Sequence, residues 1–533
     1  MQNRPYFPNA ISGKFMALFL SASALGLSSC ATFDALKLKP EAAVISADVP
    51  VSPIGASGES PNTTWVEAAP ADLPRTDWVG EFSDSTLDSL VERALAANTD
   101  IRSAEAGYRA ALARLRISKA NLLPSINGSA RASRSENIGS LLSSPDGGAA
   151  GDFTGEFNPA LLDIGGGVSS GQTGLGTGVN GSWEYDLWGR IRDGVDSSSL
   201  EAQASQADFA GVRLAIAAQV TQTWFDLIEA RLLSELSVRE VDTQARALRL
   251  TTRRFEGGVS GSSDVRLARS QLANAQALQA NRLRLQSALS RSLEVLLREY
   301  PDENLAASAD IPDLPELSGA GGPAYVLRHR PDILAAERRM QAAGLQVDVA
   351  RKALLPSLSF NGGANLSGSA LNNIFDIDRL VADIAGNLSA PFFQGGRLKA
   401  NIVQQEAILR QQLESYAGTA LQAYLEVENA LDAEERLAES EAALRVSLRE
   451  ANKAEERLEL RYAEGLATIF DLLDSQTRRI NAESQLINSR KERLANRVRL
   501  YVALGGGDIT QTAILTDAQI VSLKNNSLGL SKL

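Results

Sequence analysis

Arg330-Pro331-Asp332-Ile333, followed by Ala336-Glu337, repeats a phrase that first occurs 232 residues earlier as Asn98-Thr99-Asp100-Ile101, followed by Ala104-Glu105. At the same offset Leu122-Leu123-Pro124-Ser125 returns as Leu354-Leu355-Pro356-Ser357, and Ala110-Ala111 as Ala342-Ala343. Further along the offset falls to 207: Gly189-Arg190 matches Gly396-Arg397, and Arg254, Gly258 and Asp264 match Arg461, Gly465 and Asp471. The first copy therefore carries 25 extra residues, the difference between 232 and 207, all between Pro124 and Gly189. Each copy of an internal repeat is one structural unit that buries its faces only against its neighbours, so the duplication decides the fold ahead of any local motif.

Proline punctuates each copy. None occurs from residue 160 to residue 300, and none after Pro391. An interior proline costs a helix about 3 kcal/mol, so these windows are free to hold long helices. Residues 191–255 and 397–463 are rich in Ala, Leu, Glu, Gln and Arg, and Val220, Trp224, Leu227, Ile228 and Leu232 share one helical face. At 1.5 Å per residue each segment would reach about 100 Å, far more than a globular domain requires. The two end in glycine-marked turns, Phe255-Glu256-Gly257-Gly258-Val259-Ser260 and Tyr462-Ala463-Glu464-Gly465-Leu466-Ala467, each followed by a further helical stretch near 264–298 and 470–504. A long helical hairpin is thus predicted in each copy.

Between helices the apolar period changes to two. Ile126, Gly128, Ala130 and Ala132 alternate with Ser125, Asn127, Ser129, Arg131 and Ser133; Leu358, Phe360, Gly362, Ala364 and Leu366 alternate with Ser357, Ser359, Asn361, Asn365 and Ser367. Returning strands are read at Val179, Gly181, Trp183, Tyr185 and Leu187, and at Ala382, Ile384, Gly386, Leu388, Ala390 and Phe392. Their parity flips between copies, as an odd offset demands. Strands of about ten residues, apolar on one face and polar on the other, fit a transmembrane β-barrel. Four cannot close one, because membrane barrels start at about eight strands and an open edge is not tolerated in lipid. The chain is therefore expected to oligomerise, a trimer giving twelve strands and a dimer eight, unless the strands lie outside the membrane; two soluble hairpins with one wet face are the alternative. The 25 extra residues fall in a Gly/Ser-rich loop around 134–174.

The expected organisation is a secretory signal over residues 1–29, an extended Pro-rich tether over 30–80, a first repeat over 81–311, a second over 312–505 and a tail over 506–533. Packing is expected to begin near Leu87, where Leu87, Leu90, Val91, Ala94 and Leu95 recur at helical spacing. The leader has a basic flank (Arg4, Lys14) and an apolar run from Phe15 to Leu27, too short for a permanent span. Cys30 is the single cysteine, which rules out an intrachain disulfide. Leu27-Ser28-Ser29-Cys30 resembles a bacterial lipobox, implying N-acyl and diacylglycerol lipid on Cys30; by the same resemblance Ala31 implies sorting to the outer membrane. An ordinary signal peptide with an incidental cysteine is the alternative. Loss of residues 1–29 takes the formal charge from −11 to −13, an acidic balance that argues against a nucleic-acid partner.

Several separated motifs carry a resemblance: Leu327-Arg328-His329-Arg330-Pro331-Asp332-Ile333, Leu354-Leu355-Pro356-Ser357, Pro391-Phe392-Phe393-Gln394-Gly395-Gly396-Arg397 and Arg461-Tyr462-Ala463-Glu464-Gly465. Over roughly residues 77–505 the chain resembles the TolC-like outer-membrane efflux proteins, in their OprM/NodT lipoprotein branch. The resemblance implies a mixed α and β membrane protein: a homotrimer with a twelve-stranded β-barrel in the outer membrane, continued by a 12-helix α-barrel across the periplasm. It implies passive export of drugs and other small molecules, with a periplasmic adaptor and an inner-membrane proton-driven transporter as partners. It assigns adaptor contact to the tips Gly258, Val259, Ser260, Gly465, Leu466, Ala467 and Thr468. It assigns the closed aperture to Asp471 and Asp474, with Tyr462 in the network that holds it shut. Ala467 departs from the pattern, standing where some relatives place a closing arginine. Spacing of three puts both aspartates on one helical face, and a symmetric ring of them should attract cations and raise their pKa values by mutual repulsion. A solvated helix face is the plain alternative for the pair.

No catalytic constellation or metal site is read. His329, the sole histidine, is expected to be structural, no Cys/His cluster offers ligands, and the glycine-rich stretches lack a phosphate-loop lysine. Competing readings are an exit duct for type I protein secretion and a non-conducting lipoprotein scaffold of coiled helices, the latter disfavoured by the amphipathic strands.

Overall fold

The computed structural model describes residues 78–135, 172–305, 307, 310–315, 323–368 and 377–506. The predicted signal, Cys30, most of the tether, the centre of the Gly/Ser-rich loop and the tail beyond Gly506 lie outside the described residues.

In the first copy α1 (Ser85–Ala97) and α2 (Thr99–Ala120) lead into strands β1 (Ser125–Ser135) and β2 (Gln172–Tyr185), then into the hairpin α3 (Arg190–Glu256) and α4 (Ser262–Leu296). The second copy repeats the order as α5 (Pro323–His329), α6 (Pro331–Lys352), β3 (Ser357–Gly368), β4 (Leu380–Ser389), α7 (Arg397–Ala463) and α8 (Ile469–Ala503). Both long helices run 67 residues and both return helices 35, so the offset of 207 holds across the whole hairpin. Each long helix starts from a glycine in the left-handed region, Gly189 at φ 79° and Gly396 at φ 84°.

The four strands form one antiparallel sheet in sequence order. Its register settles the parity argument. Ile126 faces Gly181, Trp183 faces Phe360, Tyr185 faces Leu358, and Leu358 and Ala364 face Leu388 and Ala382. Directly opposed residues share a face, so the apolar sets of all four strands lie on one side and Asn127, Asn180, Asn361 and Asp383 on the other. Trp183 and Phe360 stack at 6.0 Å on the apolar side. On the polar side asparagines lie over glycines: a Cβ at Gly178 would sit 2.0 Å from Asn365 Oδ1, and one at Gly363 2.7 Å from Asn180 Oδ1. β1 and β4 are the two edges of the protomer's sheet, and β4 is exposed along its whole length. Of the residues read as strand positions in sequence, Leu187 lies beyond the end of β2, and Ala390 and Phe392 lie beyond the end of β4. Among the described residues no helix is long and apolar enough to cross a membrane.

The main core lies where α1, α3 and α8 meet, and it gathers the predicted face of α3: Val220, Trp224, Leu227 and Ile228 are buried and Leu232 packs against them. Trp78, Phe82 and Tyr501 add aromatic edges, with Phe82 5.2 Å from Phe225 and Trp78 5.6 Å from Tyr501. Packing therefore starts earlier than Leu87: Trp78 and Val79, placed in the tether by sequence, are buried. Gly506, at the predicted start of the tail, belongs to the packed body together with Gly505, the predicted end of the second repeat. A Cβ at Gly505 would meet the His329 carbonyl oxygen at 2.8 Å, and one at Gly506 would meet Leu214 Cδ1 at 2.4 Å.

The two copies are pinned together by polar groups. α6 lies along α3 through Ser197 Oγ donating to Ala342 O (3.1 Å), Gln346 Nε2 donating to Ser197 Oγ (2.8 Å) and Lys352 paired with Asp193 (2.5 Å). Buried Arg330 donates to Asp332 (2.7 Å), Glu426 (2.7 Å) and Ala503 O (3.1 Å), tying α6 to α7 and α8. His329 is structural in the same region, its Nδ1 2.9 Å from Tyr325 O and its ring stacked on Tyr325.

Glu294, buried at the end of α4, anchors the connection between copies by accepting from the backbone N–H groups of Glu303 (3.0 Å), Asn304 (2.6 Å) and Leu305 (3.2 Å). Burial pushes its carboxyl up, but these donors outweigh burial and hold it below the usual glutamate range. A lowered folded value means that this stabilisation is fully present above the unfolded pKa of about 4.3 and is lost as pH falls through the folded value. Glu294→Gln is expected to cost about 1–3 kcal/mol at neutral pH and to flatten the loss of stability on acidification. Thermal melts of both proteins from neutral to acid pH check this; parallel pH dependences would remove the carboxylate as the anchor.

Candidate functional site at the hairpin tips

Both hairpins turn by the same backbone device. Val259 N–H donates to Arg254 O (2.8 Å) and Gly258 N–H to Phe255 O (2.9 Å); Leu466 N–H donates to Arg461 O (2.8 Å) and Gly465 N–H to Tyr462 O (3.1 Å). This double bond pattern ends a helix through a left-handed residue, which glycine supplies without a Cβ penalty. Gly258 and Gly465 sit at φ 73° and 80°. In such a turn the residue after the glycine often folds back on the helix. Val259 and Leu466 instead remain 67% and 64% exposed, leaving an apolar point on each tip.

The copies diverge at the next step. Thr468 caps α8 in a reciprocal box: Asp471 N–H donates to Thr468 Oγ1 (3.3 Å), while Thr468 N–H and Oγ1 donate to Asp471 Oδ2 (2.9 and 2.7 Å). In copy one Gly261 stands at the equivalent position and has no side chain to cap α4. The Thr468 hydroxyl, the Thr468 backbone N–H and the nearby Arg461 charge hold the Asp471 carboxyl below the usual aspartate range. Within the protomer this is opposite to the raised value expected from sequence, because the carboxylate is already satisfied as a cap. Asp474 lies exposed three residues on and accepts from Arg478 Nε (2.7 Å). Leu472 and Leu473 between the two aspartates are buried, which turns both carboxylates outward.

Tyr462 is the hub of the tip. It is 2% exposed and packs with Ala247, Ile469, Leu472 and Leu473, with Ala467 at the edge. Thr251 Oγ1 spends its proton on Ala247 O (2.8 Å), so the Tyr462 hydroxyl is the donor in its 3.1 Å bond to Thr251. Arg254 Nη1 donates to Tyr462 O (2.7 Å), and its guanidinium lies 4.9 Å from the Tyr462 ring centroid. A Cβ at Gly465 would lie 3.7 Å from Arg254 Nη2, so the arginine also lies against the second turn. Its repeat partner Arg461 donates within its own turn, to Leu466 O (3.3 Å).

Thr251 and Arg254 escaped the sequence reading, which used Arg254 only to mark the repeat. Of the predicted tip residues, Gly258, Val259, Gly465 and Leu466 are exposed, Ser260 and Ala467 are half-buried, and Thr468 is exposed with its hydroxyl engaged in the cap. Cys30 lies outside the described residues.

The model of the family described as Outer membrane efflux protein matches residues 90–297 and 323–506, both copies of the repeat. This chain belongs to the outer membrane efflux protein family. It is 30% identical over 462 residues to the pyoverdine export outer membrane protein OpmQ of Pseudomonas putida, covering 85% of this chain and 92% of OpmQ. It is 28% identical over 467 residues to the antibiotic efflux pump outer membrane protein ArpC of Pseudomonas putida, covering 87% and 92%. Among solved structures it is similar to the outer-membrane channel OprN, with a TM-score of 0.73, 25% identity, and coverage of 84% of this chain and 98% of that one. The TolC-like resemblance and the outer-membrane location read from sequence therefore stand, in a family of transport proteins rather than of enzymes.

Proposed function

We propose that three copies of this chain form the exit duct of a tripartite efflux pump, passively exporting drugs and other small molecules through a twelve-stranded barrel and a 12-helix conduit. The observation that carries this reading is the sheet. All four strands turn their apolar sets to one side, and the two edges at β1 and β4 are free to pair with neighbouring copies. An open edge is excluded from lipid, and closure by symmetry removes it. The names of OpmQ and ArpC, export and efflux proteins, support small molecules as the cargo. A periplasmic adaptor would meet the tips at Val259 and Leu466, and an inner-membrane proton-driven transporter would supply the energy. Asp471 and Asp474 would line the periplasmic aperture, repeated around the axis as a cation-attracting ring. A non-conducting scaffold has no use for four strands that share one apolar face.

Planar-bilayer recording of the purified protein, with its mass determined in detergent, tests the duct. A trimer with small, mostly closed, cation-selective conductance is expected, and a monomer silent at every voltage would overturn it. In the double variant Asp471→Asn, Asp474→Asn, loss of cation selectivity and of divalent-cation block is expected; an unchanged current would take both residues out of the aperture.

Lipid attachment at Cys30 belongs to the same reading and rests on the lipobox-like Leu27-Ser28-Ser29-Cys30. Mass spectrometry should find a diacylglycerol and an acyl chain on the mature N-terminal peptide, absent from Cys30→Ala. An unmodified cysteine would leave only an ordinary leader.

A further inference from the structure

The two copies differ sharply where strand passes into long helix. In copy one Arg190, at the start of α3, is neutralised by Glu184 (2.7 Å), and Asp186 accepts from the N–H groups of Ile191 (3.1 Å) and Arg192 (3.0 Å). At the offset of 207, copy two replaces Glu184 by Pro391 and Asp186 by Phe393, yet keeps the arginine as Arg397. No acidic residue occurs between Asp383 and Glu406, while Arg397 and Lys399 both lie there. Arg397 is left with the Gln394 amide as its hydrogen-bond partner. In place of the two acids stand Phe392 and Phe393, 97% and 89% exposed directly beyond β4. A cavity of about 710 Å³ opens beside them, walled by Trp188, Pro356, Phe392 and Phe393. Its charged lining is Glu184 and Arg190, paired with each other, Asp186, engaged by the N–H groups of α3, Lys352, paired with Asp193, and Arg397, which has no carboxylate partner among the described residues.

We propose that this junction seats an anionic phospholipid of the leaflet nearest the helices: its phosphate on Arg397 and Lys399, its acyl chain against Phe392 and Phe393. The inference rests on the reading of the sheet as membrane-spanning. Copy one carries its own anion beside Arg190 and copy two has apolar surface beside Arg397, so the chemistry that complements copy two is both negative and apolar. The overall charge of −11 makes a cationic stretch free of acids a local exception that a soluble anionic protein would not maintain for solubility. Aromatic rings at the end of a lipid-facing strand, with cations directly beyond them, match the chemistry of the headgroup boundary.

The full-length protein is delipidated in detergent and titrated with phosphatidylglycerol or phosphatidylcholine, retained lipid being counted by native mass spectrometry. Conductance of the same preparation is recorded in parallel. Preferential retention of phosphatidylglycerol is expected. In Arg397→Gln, Lys399→Gln its affinity should fall about fivefold per cation, roughly 25-fold in all, with conductance unchanged. Phe392→Ser, Phe393→Ser should weaken both lipids while keeping the oligomer. Equal retention of the two lipids, or a preference that survives the Arg397 and Lys399 changes, would overturn the proposal. So would displacement of phosphatidylglycerol by inorganic phosphate at equal concentration, which would identify a free-anion site, or dissociation of the phenylalanine variant without loss of lipid, which would assign the patch to a second copy. A silent wild-type protein that still selects phosphatidylglycerol would sink the duct and leave the lipid seat standing.

Discussion

If the chain forms the proposed duct, replacing Arg254 by alanine is expected to raise its open probability by roughly 30-fold or more. Arg254 and Thr251 are the two groups of the first copy's long helix that hydrogen-bond Tyr462 at the second copy's tip, and Arg254 makes the larger contact, donating to Tyr462 O at 2.7 Å and lying over the Tyr462 ring at 4.9 Å. A hydrogen bond from a charged donor contributes about 1.5–3 kcal/mol and a partly buried cation–π contact about 0.5–2 kcal/mol. If opening separates the tips of α7 and α8 from α3, about 2–4 kcal/mol of closed-state preference per protomer goes with this side chain. Every 1.4 kcal/mol is a tenfold change in a two-state ratio, and three protomers would compound the effect. Tyr462→Phe should act in the same direction but more weakly, because it removes only the hydroxyl bond to Thr251. Arg461→Ala is the comparison, since Arg461 donates to Leu466 O in its own turn and acts on Asp471 through its charge, with no hydrogen bond to α3 among the described residues. Single-channel recording of the three variants decides the matter: Arg254→Ala gating like wild type, or no more open than Arg461→Ala, would show that tip closure does not pass through Arg254.

Trp224→Ala should be the most destabilising change in the main core, at about 3–5 kcal/mol. The side chain is 1% exposed and lies among the apolar residues that join α1, α3 and α8. Its indole N–H also donates to Asp84 Oδ2 (2.7 Å), while Asp84 Oδ1 caps α1 by accepting from Thr86 (2.9 Å) and Leu87 (3.2 Å). Alanine leaves a cavity and an unpartnered carboxylate oxygen together. Trp224→Phe keeps most of the volume and loses chiefly the hydrogen bond, so about 1–3 kcal/mol is expected. Thermal unfolding of the assembled protein in detergent should rank the proteins as wild type, Trp224→Phe, Trp224→Ala. Coincident melts of wild type and Trp224→Ala would mean that this cluster does not limit unfolding.

Much of the fold was open to reading along the chain. The offset between Arg190 and Arg397 predicted two hairpins of the same length, and two 67-residue helices are found. The strand alternation predicted apolar and polar faces, and the register of β1 to β4 collects the apolar sets on one side. The tips were only half legible. Thr468-Ile469-Phe470-Asp471 carries the spacing of a capping box, a signal present in the sequence. The family resemblance drew Asp471 to the aperture instead, and its engagement with Thr468 went unread. The tether was drawn three residues too long for a comparable reason: Trp78, Val79 and Gly80 follow a proline-rich stretch, and only the burial of Trp78 and Val79 against Tyr501 and its neighbours, with a 3-10 turn from Gly80, marks them as part of the packed body.

Periodicity settles what depends on neighbours in sequence. A residue three or four along shares a helical face and a residue two along shares a strand face, so helix extents, strand parity and the glycine turns all follow from local order. Contacts across hundreds of residues leave no such trace. Arg254 and Arg461 are equivalent in the repeat, and nothing in their flanking residues says that the first reaches across to the other tip while the second stays at home. That choice is made by the packing of α8 against both α3 and α7, which brings residues 208 apart to 2.7 Å. The same holds for Arg330, which meets Glu426 and Ala503 across 96 and 173 residues, and for Glu294, whose carboxylate is kept charged in the interior by backbone donors that only the folded connection supplies.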